Sequence, residues 1–295
     1  METAGVMEEE MTKRSTGIQW ILTVAIAAFS CCAAWADEVV LSVDGFSGPE
    51  AVRYDPAQDV YFVSNFNGQV NGDANGFVSK VSPEGSILDL KFMTGTKDHP
   101  FHAGRGMFIV NSELWVVDAG GVHRFDRRSG KHVGFVDLMP FKPGFPNDVV
   151  EGRDGNQYVT DTGTSVIYRI KNGAASIATK TSFVPNGIGL GASGDLLIAP
   201  WQGTDKIVAW NPDTGKFSTA APLDGGGNYD GIEVVNGKIV AASQKDTSLH
   251  IIDGGVDGKQ IAVAGQPADI GIDTKRGRII VPFVALNRID VIAFH

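Results

Sequence analysis

The sequence holds only two cysteines, Cys31 and Cys32, and both fall within its first 36 residues. Beyond that point no disulfide framework, thiolate nucleophile or cysteine-held metal is available. Basic residues are in the minority too: 25 Lys and Arg stand against 34 Asp and Glu, for a net charge of −9. The first 36 residues carry two of the basic and four of the acidic side chains, which leaves −7 for residues 37–295. That sign argues against nucleic acid or an anionic membrane surface as a partner. Helical periodicity is nearly absent after residue 36, so a TIM barrel, which needs a helix between strands, does not fit. No G-x-S-x-G elbow occurs, and Gly187, Gly189 and Gly191 lead into a strand rather than a helix. A serine triad and a dinucleotide loop are therefore unsupported.

Long apolar runs are confined to one place. Lys13 and Arg14 precede an apolar stretch from Ile18 to Ala36, which ends in the small-x-small pattern Ala34-Trp35-Ala36. These features predict a signal peptide over residues 1–36, cleaved after Ala36, and a periplasmic or secreted product free of the membrane. Glu8, Glu9 and Glu10 are unusual in such a segment and point to Met11 as an alternative start. An uncleaved anchor is the competing reading, because the stretch is nearly long enough to span.

What the rest of the chain has in quantity is glycine, 37 residues over the whole sequence, and a recurring phrase. The segments GPEAVRYD, AGRGMFIV, FPNDVVEG, VPNGIGLG, NYDGIEVV and QPADIGID recur at intervals of roughly 40 residues. Each is followed by a turn and a second β-rich run: VYFVSN, LWVVDA, QYVTDT, LLIAPW, KIVAAS and IIVPFV. A third run follows in every copy, and a fourth, more polar one in most. A four-stranded unit of this length repeated radially is a β-propeller blade. The expectation is an all-β fold over residues 37–295, a six-bladed propeller. The sixth copy ends after its third run, so DEVVLSVD at Asp37–Asp44 is expected to supply its outer strand and close the ring.

In a propeller the first residues of the innermost strands meet at one mouth of the central channel. The aligned positions there are Glu50, Arg105, Asn147, Asn186, Asp230 and Ala268. Two carboxylates and two carboxamides offer oxygen donors only. Such a set suits a hard cation, Ca²⁺ before Mg²⁺, with another divalent ion possible. Asp118 and Asp161, at the ends of second runs, read as turn caps. Asp148 and Asp269 read as caps or as groups supporting a neighbour, since alternate strand residues face opposite sides. Asp73-x-Asn75-Gly76 lacks the closing glutamate of an EF-hand loop.

The motifs GPEAV, PND with DG and TD downstream, PNGI and YDGIEV resemble those of the senescence-marker-protein/gluconolactonase/luciferin-regenerating-enzyme family. That family is related to diisopropyl-fluorophosphatase and paraoxonase, and the resemblance spans residues 40–295. It implies one metal, usually calcium in bacterial members, held by Glu50, Asn147, Asn186 and Asp230, with Asp230 also the general base or nucleophile. The implied activity is hydrolysis of lactones or related small esters. Phe145 departs from the pattern, because sugar-lactonase members carry a substrate-contacting arginine there. Arg105, from another strand, is a candidate to face the same space. His102 is a candidate proton shuttle or substrate contact at the mouth, and Trp201 and Phe145 are candidate apolar walls. The competing reading is a non-catalytic propeller that binds a small molecule or an envelope protein around a structural ion.

Overall fold

The computed structural model describes residues 38–69 and 72–294. The expected signal peptide lies outside them, and no described helix is long and apolar enough to cross a membrane. The described residues form six antiparallel four-stranded sheets arranged as six blades. Among the described residues helix is limited to two 3₁₀ turns, Met139–Phe141 and Val284–Leu286. The six innermost strands are Pro49–Asp55, Met107–Val110, Pro146–Glu151, Val184–Leu190, Tyr229–Val235 and Gly271–Asp273.

The ring closes as the sequence suggested. Val39–Asp44 pairs antiparallel with Arg288–Ala293 and forms the outer strand of blade six, with Ser42 opposite Asp290. The Ser42 hydroxyl also donates to Asp290 Oδ1 at 2.7 Å. The first and the last described strands are thereby joined in one sheet.

Burial follows the blade geometry. Six apolar clusters fill the gaps between neighbouring blades, such as Val149, Val159 and Tyr168 against Trp115 and Val117 between blades two and three. A blade is a strongly twisted sheet with two faces, and each face is covered only by the next blade. Removal of apolar surface from water between blades thus drives assembly of the whole ring.

The four inner strands that carry the oxygen-bearing residues share a local irregularity. In blade three Pro146 pairs with Asp161 and Val149 with Val159, so Asn147 and Asp148 stand opposite Thr160 alone. In blade four Asn186 and Gly187 oppose Ala199, and in blade five Asp230 and Gly231 oppose Ala242. In blade one Glu50 is the inserted residue between the pairs Pro49–Asn65 and Ala51–Ser64. Each is a β-bulge, a device that adds a residue and re-aims a side chain. Glycine is required at the second bulge position of blade four: a Cβ on Gly187 would lie 2.2 Å from the Asp230 carbonyl oxygen.

Candidate metal and substrate site

The bulges bring Glu50, Asn147, Asn186 and Asp230 to one cavity of about 230 Å³, lined also by Phe66, Phe145, Thr162, Trp201, Gln244 and Val284. All four are buried, with exposures of 2% to 6%. Each keeps one buried side-chain oxygen without a hydrogen-bond partner: Glu50 Oε2, Asn147 Oδ1, Asn186 Oδ1 and Asp230 Oδ1. A single buried acceptor left bare costs free energy. Four of them, from four blades, around one cavity are what a cation site requires of its protein. The residues therefore fit a hard divalent ion bound through oxygen.

The other oxygen of Asp230 is committed, since Gln244 Nε2 donates to Oδ2 at 2.7 Å. Burial pushes the Asp230 carboxyl up to about 7, aided by the charge of Asp148 and opposed by the Gln244 and Asn186 amides. Glu50 is held well above the carboxylate range by burial first and by Asp230 second, with Arg105 acting against both. Two carboxyls that resist ionisation together are the electrostatic counterpart of the bare oxygens. A divalent cation would relieve both.

Below this layer the channel is charged as well. Asp148 is buried and fastens blade three to blade four, accepting from Val149 N at 2.7 Å and from Ile188 N at 2.8 Å. Neither oxygen of the buried Asp269 has a hydrogen-bond partner. Arg53 of blade one bonds Glu233 of blade five across the channel and gives Nε to the Met107 carbonyl at 2.8 Å.

Two sequence-derived candidates do not line the cavity. Arg105 is fully buried. Its guanidinium carbon sits 3.9 Å from the centroid of the Phe145 ring, and Nη1 donates to the Pro146 carbonyl at 2.7 Å. The aromatic ring lies over the guanidinium, so Arg105 does not reach a ligand as a free cation. His102 faces the loop of blade one instead of the mouth: its Nδ1 accepts from Gly72 N at 3.2 Å and Ala74 N at 3.1 Å. Phe145 and Trp201 do line the cavity. Asp118 and Asp161 cap turns, as expected. Asp161 accepts from Gly144 N and Phe145 N at 3.0 and 2.8 Å, and Asp118 from His102 N and Ala103 N at 3.0 and 2.7 Å.

Phe66, Thr162, Gln244 and Val284 were not anticipated, yet the repeat contains the signal. Phe66, Thr162, Gln244 and Val284 stand one residue past the last paired residue of the second strand in their blades, Asn65, Asp161, Ser243 and Phe283, and Trp201 follows Pro200, the partner of Pro185. The same alignment that found the first ring of residues finds the second when read at that place. A larger groove of about 480 Å³ runs past Phe183 and Phe217 at the outer strands of blades three and four. It holds none of the buried acids or amides.

Several solved structures share this fold. A candidate gluconolactonase is 18% identical with a TM-score of 0.67, over 88% of this chain and 92% of that one. A gluconolactonase from Xanthomonas campestris is 17% identical with a TM-score of 0.64, over 86% of this chain and 88% of that one. A catalytically inactive variant of virginiamycin B lyase from Staphylococcus aureus, solved with quinupristin, is 16% identical with a TM-score of 0.63, over 86% and 99%. No protein-family model matches the sequence, and no curated protein matches it. The chain thus has the six-bladed fold of gluconolactonase-like and virginiamycin B lyase propellers. Since one fold carries both a lactonase and a lyase, the chemistry has to be argued from the site.

Proposed function

We propose that the protein is an exported, calcium-dependent hydrolase of lactones or related small esters. The observation that carries the reading is the convergence of four unpartnered buried oxygens on one cavity, from Glu50, Asn147, Asn186 and Asp230. These residues would hold the ion, which supplies polarisation of the substrate carbonyl and stabilisation of the developing oxyanion. Asp230 supplies the proton acceptor toward water, or the nucleophile itself. Gln244 fixes the orientation of that carboxylate by its bond to Oδ2. Asn147 and Asn186 contribute neutral oxygens, so the site binds a divalent ion without accumulating a third and fourth negative charge. Phe145, held by its backbone bond to Asp161, and Trp201 close the cavity against water. The gluconolactonases that share the fold support the reaction class, and the leader pattern at residues 13–36 supports export.

The test is a hydrolysis screen of lactones and aryl esters in calcium and in chelator. Calcium-dependent turnover is the expected result. Calcium stabilisation without turnover of any of them would replace the enzyme by a non-catalytic binding propeller with a structural ion.

A further inference from the structure

The wall of the cavity says more about the substrate than the proposed reaction does. Apart from the four oxygen-bearing residues, six side chains line it, and four of these are apolar: Phe66, Phe145, Trp201 and Val284. Each of the two polar ones has a donor committed to a neighbour. The Thr162 hydroxyl donates to the Pro185 carbonyl at 2.8 Å. The Gln244 amide nitrogen donates to Asp230 at 2.7 Å. The cation that could have joined the wall, Arg105, is buried beneath Phe145, with its guanidinium carbon 3.9 Å from that ring and 5.5 Å from Phe66. Outside the ion site the lining side chains keep few polar groups, one N–H and the carbonyl of Gln244 and the indole N–H of Trp201, and no cation for a carboxylate or phosphate group. Each further hydroxyl carried into such a wall loses its water without replacement, which costs on the order of tenfold in affinity. The cavity, about 230 Å³, is small. At about 30 Å³ for a water it corresponds to roughly eight of them, the scale of one ring system.

We propose that this mouth selects compact, uncharged, apolar acyl compounds, aromatic or short-chain lactones and esters, through Phe66, Phe145, Trp201 and Val284. Arg105 is a positioning residue in this scheme: it holds the Phe145 ring in the wall by stacking and does not touch the ligand. The proposal rests on the hydrolase reading for the words lactone and ester. Its core, an apolar selectivity, is independent of turnover.

The experiment uses lactams, which mimic the ring without being hydrolysed. Binding of dihydroquinolinone, a benzo-fused six-membered lactam, and of gluconolactam, its polyhydroxylated counterpart, is measured by calorimetry on the full-length mature protein in calcium and in chelator. The aromatic lactam is expected to bind at least about tenfold more tightly, in calcium at least. Phe145→Ser and Trp201→Ser are each expected to erase most of that preference. Arg105→Met should reduce it by a few-fold, the scale of a modest cation–π contact, and by less than Phe145→Ser does. Should that variant fail to fold, Phe145→Leu serves instead: it keeps an apolar wall, removes the stacking partner, and is expected to retain part of the preference. Equal or tighter binding of gluconolactam, or no binding of dihydroquinolinone, overturns the proposal. Preference for the aromatic lactam in a protein that hydrolyses nothing keeps the proposal and removes the hydrolase reading.

Discussion

Blades two and six meet the central channel in one way, and blades one and three in another. In blades two and six the amide after the aligned residue donates straight to the aligned carbonyl of the next blade: Gly106 N to Asn147 O at 2.9 Å and Asp269 N to Glu50 O at 2.8 Å. Their aligned side chains are Arg105, turned under Phe145, and Ala268. In blades one and three the bulge turns that amide toward a hydroxyl on its own second strand, Ala51 N to Ser64 Oγ at 3.1 Å and Asp148 N to Thr160 Oγ1 at 3.2 Å. The same hydroxyls donate onward to the next blade, Ser64 to Arg105 O at 2.8 Å and Thr160 to Asn186 O at 2.5 Å. The bond between blades is kept, now through a side chain, and the aligned residue is released to face the mouth. Blades four and five carry the bulge with Ala199 and Ala242 opposite it, without the hydroxyl relay. Every residue that turns a bare oxygen to the cavity stands at a bulge, but the bulge alone does not make a donor: Arg105 and Gly106 likewise share Val117 as their backbone partner, and no oxygen faces the cavity there.

The largest expected effect lies in blade six, which pairs the first described strand with the last. Deleting residues 38–44 from a leaderless protein strips the pairing strand from Arg288–Ala293 and uncovers the buried Val43 contact. The midpoint of thermal unfolding should fall by about 10 °C or more, at roughly 2–4 °C per kcal/mol for a domain of this size. An unchanged midpoint would show that closure is not needed.

In the bulged blades the sharpest change is Asp230→Asn. It preserves volume and one oxygen while removing the proton acceptor, and hydrolysis should drop by at least about 100-fold while calcium still raises the unfolding midpoint. Equal rates for both proteins on a verified substrate would reject the mechanism and leave the fold intact.

Acidity provides the next contrast. Burial raises Asp230 from 3.8 to about 7, and Asp148 likewise to about 7. A carboxyl whose pKa is higher in the fold than in the unfolded chain favours the native state while protonated. That contribution is complete below about pH 4 and disappears as pH rises through 7. Chelator-treated protein should therefore lose stability to urea between these values, whereas calcium-loaded protein should lose little. The two urea midpoints, followed across this range, should separate as pH rises; parallel curves would argue against the pairing of ion and carboxyls.

Thr160→Val tests the relay itself. It leaves Asp148 N and Asn186 O without their shared partner, so stability should fall by about 1–3 kcal/mol, with calcium affinity reduced because two donor strands shift together. The smallest effect is expected in blade six. Ala268→Ser adds a hydroxyl at an aligned position that does not line the cavity, and calcium affinity should stay within about threefold, under 1 kcal/mol.

The sequence made the ring legible because the repeat is strict where the core needs it. Alternating apolar residues, a turn and a second run recur in all six copies. The position of Asn147 before an apolar run marked a side chain wanted at the mouth, and the same position named Glu50, Asn186 and Asp230. Less legible was the direction each side chain takes. Arg105 shares the alignment, and its backbone shares Val117 with Gly106, yet its guanidinium goes beneath Phe145. His102 sits near the mouth in sequence, yet the loop amides of Gly72 and Ala74 claim its ring. Bulges add one residue to one strand, and turns of differing length hide that residue from a sequence read alone. For the same reason Phe66, Gln244 and Val284, just past the second strands, looked like ordinary loop residues.

The most direct test of the ion site is a crystal structure of the mature protein grown in calcium. The expected result is one ion at the channel mouth touching Glu50 Oε2, Asn147 Oδ1, Asn186 Oδ1 and Asp230 Oδ1, at roughly 2.3–2.6 Å. A mouth holding no ion, with those four oxygens bonded to water or to one another, would contradict it.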